Sequence, residues 1–205
     1  MNILPSLTLA TFNQGKLAEY SRMLAELPIE LRALDSFADI SEIDETGETF
    51  KDNARKKASG YGRQTVSYVL ADDSGLAIDA LDGRPGVHSA RYGGTETDFA
   101  LKMQLVLDKL REKPACNRNA RFVCVIAIAG PDGKIVFEAS GVCEGRIAEL
   151  ARGSGGFGYD PIFIPDGFDQ TFGELSAQIK QKMSHRARAM SQIIPFLRDN
   201  IASLT

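Results

Sequence analysis

The sequence predicts a single α/β domain built on a mixed sheet, and three observations point there. Short β-prone runs alternate with helical periodicity through the first half of the chain. A β-hairpin pattern lies in the second half, and no linker, repeat or composition shift divides the 205 residues. Alternating strands and helices favour parallel pairing, whereas a hairpin brings antiparallel strands, so a mixed sheet flanked by helices accommodates both. The unbroken composition makes 1–205 one domain, with room for two lobes. A chain of this length buries about 70% of its unfolded surface and needs no disulfide or structural zinc.

Taken in order, Leu7-Thr8-Leu9-Ala10-Thr11 is a short apolar strand that runs into Phe12-Asn13-Gln14-Gly15-Lys16. Leu17, Tyr20, Leu24 and Leu27 then recur at helical spacing, and Pro28 ends the helix. Ile29 to Leu34 alternates as a second strand, and an acidic stretch from Asp35 to Glu48 follows. A helix starts near Thr49, continues through Phe50, Asn53, Ala54, Lys57 and Ala58, and is expected to close at Gly60 and Gly62. Ser67 to Ala71 is a third strand ending at Asp72-Asp73-Ser74-Gly75. Gly83-Arg84-Pro85-Gly86 and Arg91-Tyr92-Gly93-Gly94 read as loops. Thr97 to Leu110 is an amphipathic helix with Leu101, Leu105 and Leu107 on its apolar side. Arg121 to Ala129, the turn Gly130-Pro131-Asp132-Gly133, and Lys134 to Val142 make the hairpin. A glycine-rich loop from Gly153 to Asp160 precedes a short strand, Ile162 to Ile164, and a last helix spans Ala177 to Ile201 with a bend at Pro195.

Composition sets limits on function. Hydrophobic residues are 43% and charged residues 25%, as in ordinary globular proteins. The 24 basic and 27 acidic residues leave a net charge of −3, which argues against a nucleic-acid partner. No apolar run approaches the ~18 residues of a membrane span, and Met1 to Leu9 lacks the features of a secretory leader. Cys116, Cys124 and Cys143 have no metal-type spacing, and read as thiols in a reducing cytoplasm.

Five segments are candidates for chemistry. The turn Thr11 to Lys16 opens a helix, where backbone N–H groups and the dipole suit a phosphate, and Gly15 allows close approach; it reads equally as a capped helix start with a solvated lysine. Asp72 and Asp73 are adjacent carboxylates that would repel without a cation, and Mg²⁺ is bound by one or two carboxylates plus waters and phosphates. An acidic turn is the other reading. Asn53 and Lys57 share a helix face four residues apart, near Glu45. Phe157 and Tyr159, on the glycine-rich loop, would stack on a base or plug a small core. Lys180, Ser184, His185 and Arg186 supply donors to a carbonyl or phosphate, or serve structure. No serine sits in a G-x-S-x-G elbow, which argues against a nucleophilic-serine hydrolase.

Together these segments resemble the inosine triphosphate pyrophosphatases, the Ham1-like family. The matching stretches are Thr11 to Lys16, Glu45-Thr46-Gly47 through Asn53 and Lys57, Ala71 to Leu76, Pro85-Gly86 through Tyr92, Gly155 to Pro161, Glu174-Leu175-Ser176 and Ser184-His185-Arg186. They occur in the family's order from residue 11 to 186. Three positions depart from the usual pattern: Phe12 is bulky, His88 stands where tyrosine is common, and the stretch before Ser184 is poor in acids.

The resemblance implies a curved mixed sheet with helices and two lobes with the active-site cleft between them. It implies Mg²⁺-dependent hydrolysis of inosine, deoxyinosine and xanthosine triphosphates (ITP, dITP, XTP) to the monophosphate and pyrophosphate, cleansing the nucleotide pool, by a cytoplasmic homodimer. It further implies roles for residues. Asp73 and Lys57 are catalytic, and Glu45, Asp72 and Asp73 hold the metal. Thr11, Asn13, Gln14, Gly15 and Lys16 hold the triphosphate, and Ser74 contacts substrate. Phe157, Gly158, Tyr159, Asp160, Lys180, His185 and Arg186 form the base pocket, where donors from His185 or Arg186 favour a C6 carbonyl over adenine's amino group. The competing readings are a Maf-like pyrophosphatase of other base specificity, against which the absence of an arginine from the first turn argues, and a non-catalytic nucleotide-binding protein.

Overall fold

The computed structural model describes residues 5–200 and 202; Ile201 and the opening of the Met1 to Leu9 segment lie outside the described residues. The elements are β1 (Ser6–Leu9), α1 (Gln14–Leu24), β2 (Glu30–Ala33), α2 (Phe50–Thr65), β3 (Val69–Ile78), α3 (Phe99–Arg111), β4 (Asn119–Ala129), β5 (Ile135–Ile147), β6 (Phe163–Pro165), α4 (Ala177–Met183) and α5 (His185–Asp199). The six strands lie in the order β2-β1-β3-β4-β5-β6. β1 pairs parallel with β2 and β3, and β5 pairs antiparallel with β6, so the predicted mixed α/β sheet is present. The hairpin turn closes where Gly130 N–H donates to the Lys134 carbonyl.

The chain forms two compact units, each interrupted in sequence. The first comprises the residues up to Asp73, Cys124–Gly141 and those from Arg186 onward. Period-two alternation sorts its strands onto two faces. Leu7, Leu9, Leu70, Cys124, Ile126 and Ile128 pack with Tyr20 and Leu24 of α1 and with Ala189, Met190, Ile193 and Leu197 of α5. Ala10, Val69, Ala71, Ala127 and Ala129 pack against Ala54, Ala58 and Tyr61 of α2. Alanines dominate that second face, so α2 can sit close to the sheet. The second unit, Ser74–Val123 and Val142–His185, has its own core of Leu76, Ile78, Val106, Leu110, Phe122, Phe163 and Phe172, with three phenylalanine rings in mutual contact.

Several boundaries differ from the sequence reading, for physical reasons. α2 does not close at Gly60 and Gly62. A Cβ on Gly60 would lie 2.6 Å from Ile43 and one on Gly62 would lie 2.6 Å from the Gly130 carbonyl oxygen, so these glycines permit close packing. The helix ends instead at Val66, whose φ of 48° is left-handed and unusual for a β-branched residue. β3 does not stop before Asp72 but runs through Asp72-Asp73-Ser74-Gly75 to Ile78. Leu101 of α3 is 52% exposed, and Lys102 takes the inward position beside it, its ammonium donating to the Ala90 carbonyl. The last helix is two helices: Ser184 adopts extended backbone and is buried between α4 and α5, while Pro195 lies inside α5. Cys124 and Cys143 are buried and outside any disulfide, and Cys116 is half-buried.

Candidate functional site

The placement of Asp72 and Asp73 inside a strand decides what each can do. Successive strand residues point to opposite faces, so these two carboxylates do not converge. Asp72 follows Leu70 onto the α1/α5 face. Its Oδ2 lies 2.9 Å from Lys16 Nζ and 3.5 Å from an Arg186 terminal nitrogen. Arg186 also donates to Glu19 and sits over the Tyr20 ring, 5.5 Å from its centroid. Burial pushes the Asp72 carboxyl up, but Lys16, Arg186 and Lys57 outweigh it and hold the group well below the usual carboxylate range.

Asp73 follows Ala71 onto the α2 face. Asn53, fully buried, donates from Nδ2 to Asp73 Oδ2 at 2.9 Å. Lys57, one helical turn on, donates to Glu45 Oε1 at 2.5 Å. Burial pushes the Asp73 carboxyl up and Glu45 adds to this, so that despite Lys57 and the Asn53 hydrogen bond it rises to about 6. Burial alone would lower Lys57, but Asp72, Glu45 and Asp73 together raise it, so it stays an ammonium.

Thr11 to Lys16 forms the start of α1. Thr11 Oγ1 accepts from Asn13 N–H, and Asn13 Oδ1 caps the helix by accepting from Lys16 N–H at 3.0 Å. Asn13 and Gln14 are exposed, and Thr11, Gly15 and Lys16 are half-buried. The first turn thus has a capped, positively polarised end with the Lys16 ammonium anchored on Asp72.

The second unit gathers the other candidates. Asp160 is buried and accepts from Lys180 Nζ at 2.6 Å and from Phe157 N–H. Lys180 Nζ lies over the half-buried Phe157 ring, 4.5 Å from its centroid. Gly158 and Gly156 both have left-handed φ, and a Cβ on Gly156 would enter the Asp160 carboxylate. His185 is buried and stacks on Phe122 with centroids 4.7 Å apart. Ser74, half-buried, is the first residue of this unit.

One sequence expectation is corrected here. Tyr159 is 3% exposed, packs edge-on against Phe99 and donates its hydroxyl to the Ser89 carbonyl, so its ring is committed to the core and offers no face to a base. Arg186 is 1% exposed and pairs with Asp72 and Glu19 in the first unit. Among the described residues no three acidic, histidine or cysteine side chains form a metal-holding group. Glu45 and Asp73 remain mutually repelling carboxylates, and a pair of that kind with phosphate oxygens and water suits Mg²⁺. Asp72, held by two cations, fits an anchoring role. The sequence reading missed Glu19, for which no local pattern exists. It noted Asn53 only as a neighbour of Lys57, although the four-residue spacing placed both on the Asp73 face.

A helix start with an anchored ammonium, beside carboxylates held on buried strand and helix positions, defines an α/β protein equipped for polyphosphate chemistry. Comparison with known proteins agrees. The Ham1 family profile matches residues 7–196. A dITP/XTP pyrophosphatase of Bacillus cereus is 43% identical over 194 residues, covering 94% of this chain and 95% of that protein. A dITP/XTP pyrophosphatase of Halalkalibacterium halodurans is 47% identical over 189 residues, covering 92% and 96%. The structure of a HAM1 protein from Coxiella burnetii superposes with a TM-score of 0.88 at 40% identity, covering 96% of this chain and all of that one. The Staphylococcus aureus Ham1 protein gives 0.84 at 34% identity, covering 95% and 98%. This chain belongs to the Ham1 family, and the Maf-like reading is set aside.

Proposed function

We propose that this protein is a Mg²⁺-dependent pyrophosphatase that hydrolyses purine nucleoside triphosphates bearing hypoxanthine or xanthine, releasing the monophosphate and pyrophosphate. Its relatives are named dITP/XTP pyrophosphatases. The observation that carries the reading is the buried Asp73 carboxylate, held by Asn53 beside the Lys57–Glu45 pair. A carboxylate fixed beside an ammonium and a second acid is placed to orient an attacking water and accept its proton.

The residues divide the work. The α1 N-terminus, with Thr11, Asn13, Gln14, Gly15 and Lys16, offers N–H groups and an ammonium to phosphate oxygens. Lys57 neutralises charge beside the reacting phosphorus, since phosphoryl transfer depends on positioning and electrostatics more than covalent catalysis. Asp73 orients the water and takes its proton. Glu45 and Asp73 would hold Mg²⁺, which when bound neutralises phosphate charge. Lys180, Asp160, Phe157 and His185 have the chemistry to meet a planar base: a cation on an aromatic face, a carboxylate and an imidazole. Donors there would favour the C6 carbonyl of hypoxanthine and xanthine over the amino group of adenine. A homodimer in the cytoplasm, acting on free nucleotides, completes the proposal; the net charge of −3 is in keeping with a partner that is not nucleic acid.

The test is incubation of purified protein with ITP, XTP, ATP and GTP, with and without Mg²⁺, and separation of products by anion exchange. IMP and pyrophosphate, formed from ITP in preference to ATP and only with Mg²⁺, are expected. IDP and phosphate would place attack at the γ-phosphorus and overturn the proposal. Nucleotide binding without turnover would favour a non-catalytic binding protein. Light scattering checks the dimer.

A further inference from the structure

We infer that Asn53 is a positioning residue of the reaction, one side-chain amide that fixes the Asp73 carboxylate and the backbone next to Glu45 together. The inference rests on the proposed function and assigns Asn53 a part in it.

Asn53 is wholly buried on the second turn of α2, a position where an amide is retained only if both of its ends are satisfied. Here they are. Nδ2 donates to Asp73 Oδ2 at 2.9 Å, and Oδ1 accepts from the Gly47 backbone N–H at 2.7 Å. The partners settle which end is which, because a backbone N–H only donates and an ionised carboxylate only accepts. One rigid, planar group therefore joins β3 to the segment two residues beyond Glu45. Lys57, one turn further along the same helix, takes the Glu45 carboxylate itself. A single helix face thus sets the positions of both acids.

Gly47 fits the same arrangement. A Cβ there would lie 2.7 Å from Asn53 Oδ1 and 2.7 Å from Asp52 Cβ, so only glycine lets the backbone reach the amide. The hydrogen bond to Asp73 comes from a neutral donor. It restrains rotation of the carboxylate without adding a competing charge beside Glu45 and Lys57. Leu or Ala at position 53 would pack in the apolar face beside Ala54 and Ala58 but remove the amide that holds Asp73 Oδ2.

The test is Asn53→Ala, with Asn53→Asp as the isosteric second variant, which still accepts from Gly47 but, when ionised, has no proton to donate and sets a second negative charge against Asp73. Both are expected to lower kcat for ITP by about 10- to 100-fold, as loss of a supporting hydrogen bond to a ligating carboxylate does, with KM changed far less. Calorimetry with Mg²⁺ alone on the substrate-free protein is expected to show weaker binding by Asn53→Ala. A structural role would not produce the third result: in an Asp73→Asn background, Asn53→Ala is expected to cost little further activity, because the group it acts through is gone. The inference is overturned if kcat of Asn53→Asp stays within twofold of wild type, or if Asn53→Ala costs the same factor in both backgrounds. If Asn53→Ala fails to give a cooperative melt, Asn53→Asp decides. If the wild type leaves ITP intact, the proposed function fails, and the Mg²⁺ titration alone decides whether Asn53 organises the acids.

Discussion

Asp72 and Asp73 are neighbours in sequence and opposites in environment. The face of β3 that carries Asp72 is closed by Lys16 and Arg186, and its carboxyl is held far below its ordinary range. The face that carries Asp73 offers a neutral amide and one ammonium, Lys57, that a competing carboxylate, Glu45, already holds, so burial prevails and the Asp73 carboxyl rises to about 6. Both are buried, so burial does not separate them; the charges on the packed helices do. The chain places a locked acid and a poised acid one residue apart by exploiting the two-residue period of a strand.

The sharpest break in this comparison is removal of the locked acid. Asp72→Ala takes a carboxylate away from the Lys16 ammonium and from the buried Arg186 guanidinium, which keeps Glu19, and loss of one partner from a buried pair typically costs about 3–5 kcal/mol. Urea unfolding measures it, and a loss under 1 kcal/mol would show that the cations find other partners. Next is the poised acid. Asp73→Asn is expected to lower kcat by about 10²-fold or more with no such loss of stability; a near-wild-type rate would remove Asp73 from catalysis.

The two acids should also respond to pH with opposite sign. For Asp72 the folded value is depressed, so its contribution is present above the unfolded value and fades as pH falls through the folded one. For Asp73 the folded value is raised, so its stability is fully present below 3.8 and is lost as pH rises towards about 6. In metal-free protein, Asp73→Asn is therefore expected to raise stability at pH 8, on the order of 2 kcal/mol, and to do little at pH 4. Chemical denaturation at the two pH values checks this, and destabilisation at pH 8 would contradict the environment assigned to Asp73. The smallest effect serves as a baseline away from both faces. Val66→Gly relieves a left-handed φ of 48° at the exposed end of α2 and is expected to add about 1 kcal/mol without altering kcat.

The difference between the two acids was hidden in the sequence, although their standing as candidates was not. Periodicity located α1, α2, α3 and the hairpin because those patterns are local. The motif order located the acids, Lys16, Lys57 and the Phe157 loop. What failed was whatever depends on close approach or distant partners. Gly60 and Gly62 look like helix ends until Ile43 and the Gly130 carbonyl are seen against them. Two charges in a row look like a turn until cations and an amide are found on either side of the strand. One partner of Arg186 is Glu19, 167 residues away, and no spacing rule connects them.

The thiols have a practical consequence. Burial, followed by the nearby Asp72 charge, pushes Cys124 up to about 12, and Cys143 is equally shut off, whereas Cys116 is half-buried. Maleimide reagents on the native protein should therefore attach at one position, in the second unit, without any cysteine being removed. The chain has no tryptophan, so a dye placed there would report on an otherwise weakly fluorescent molecule.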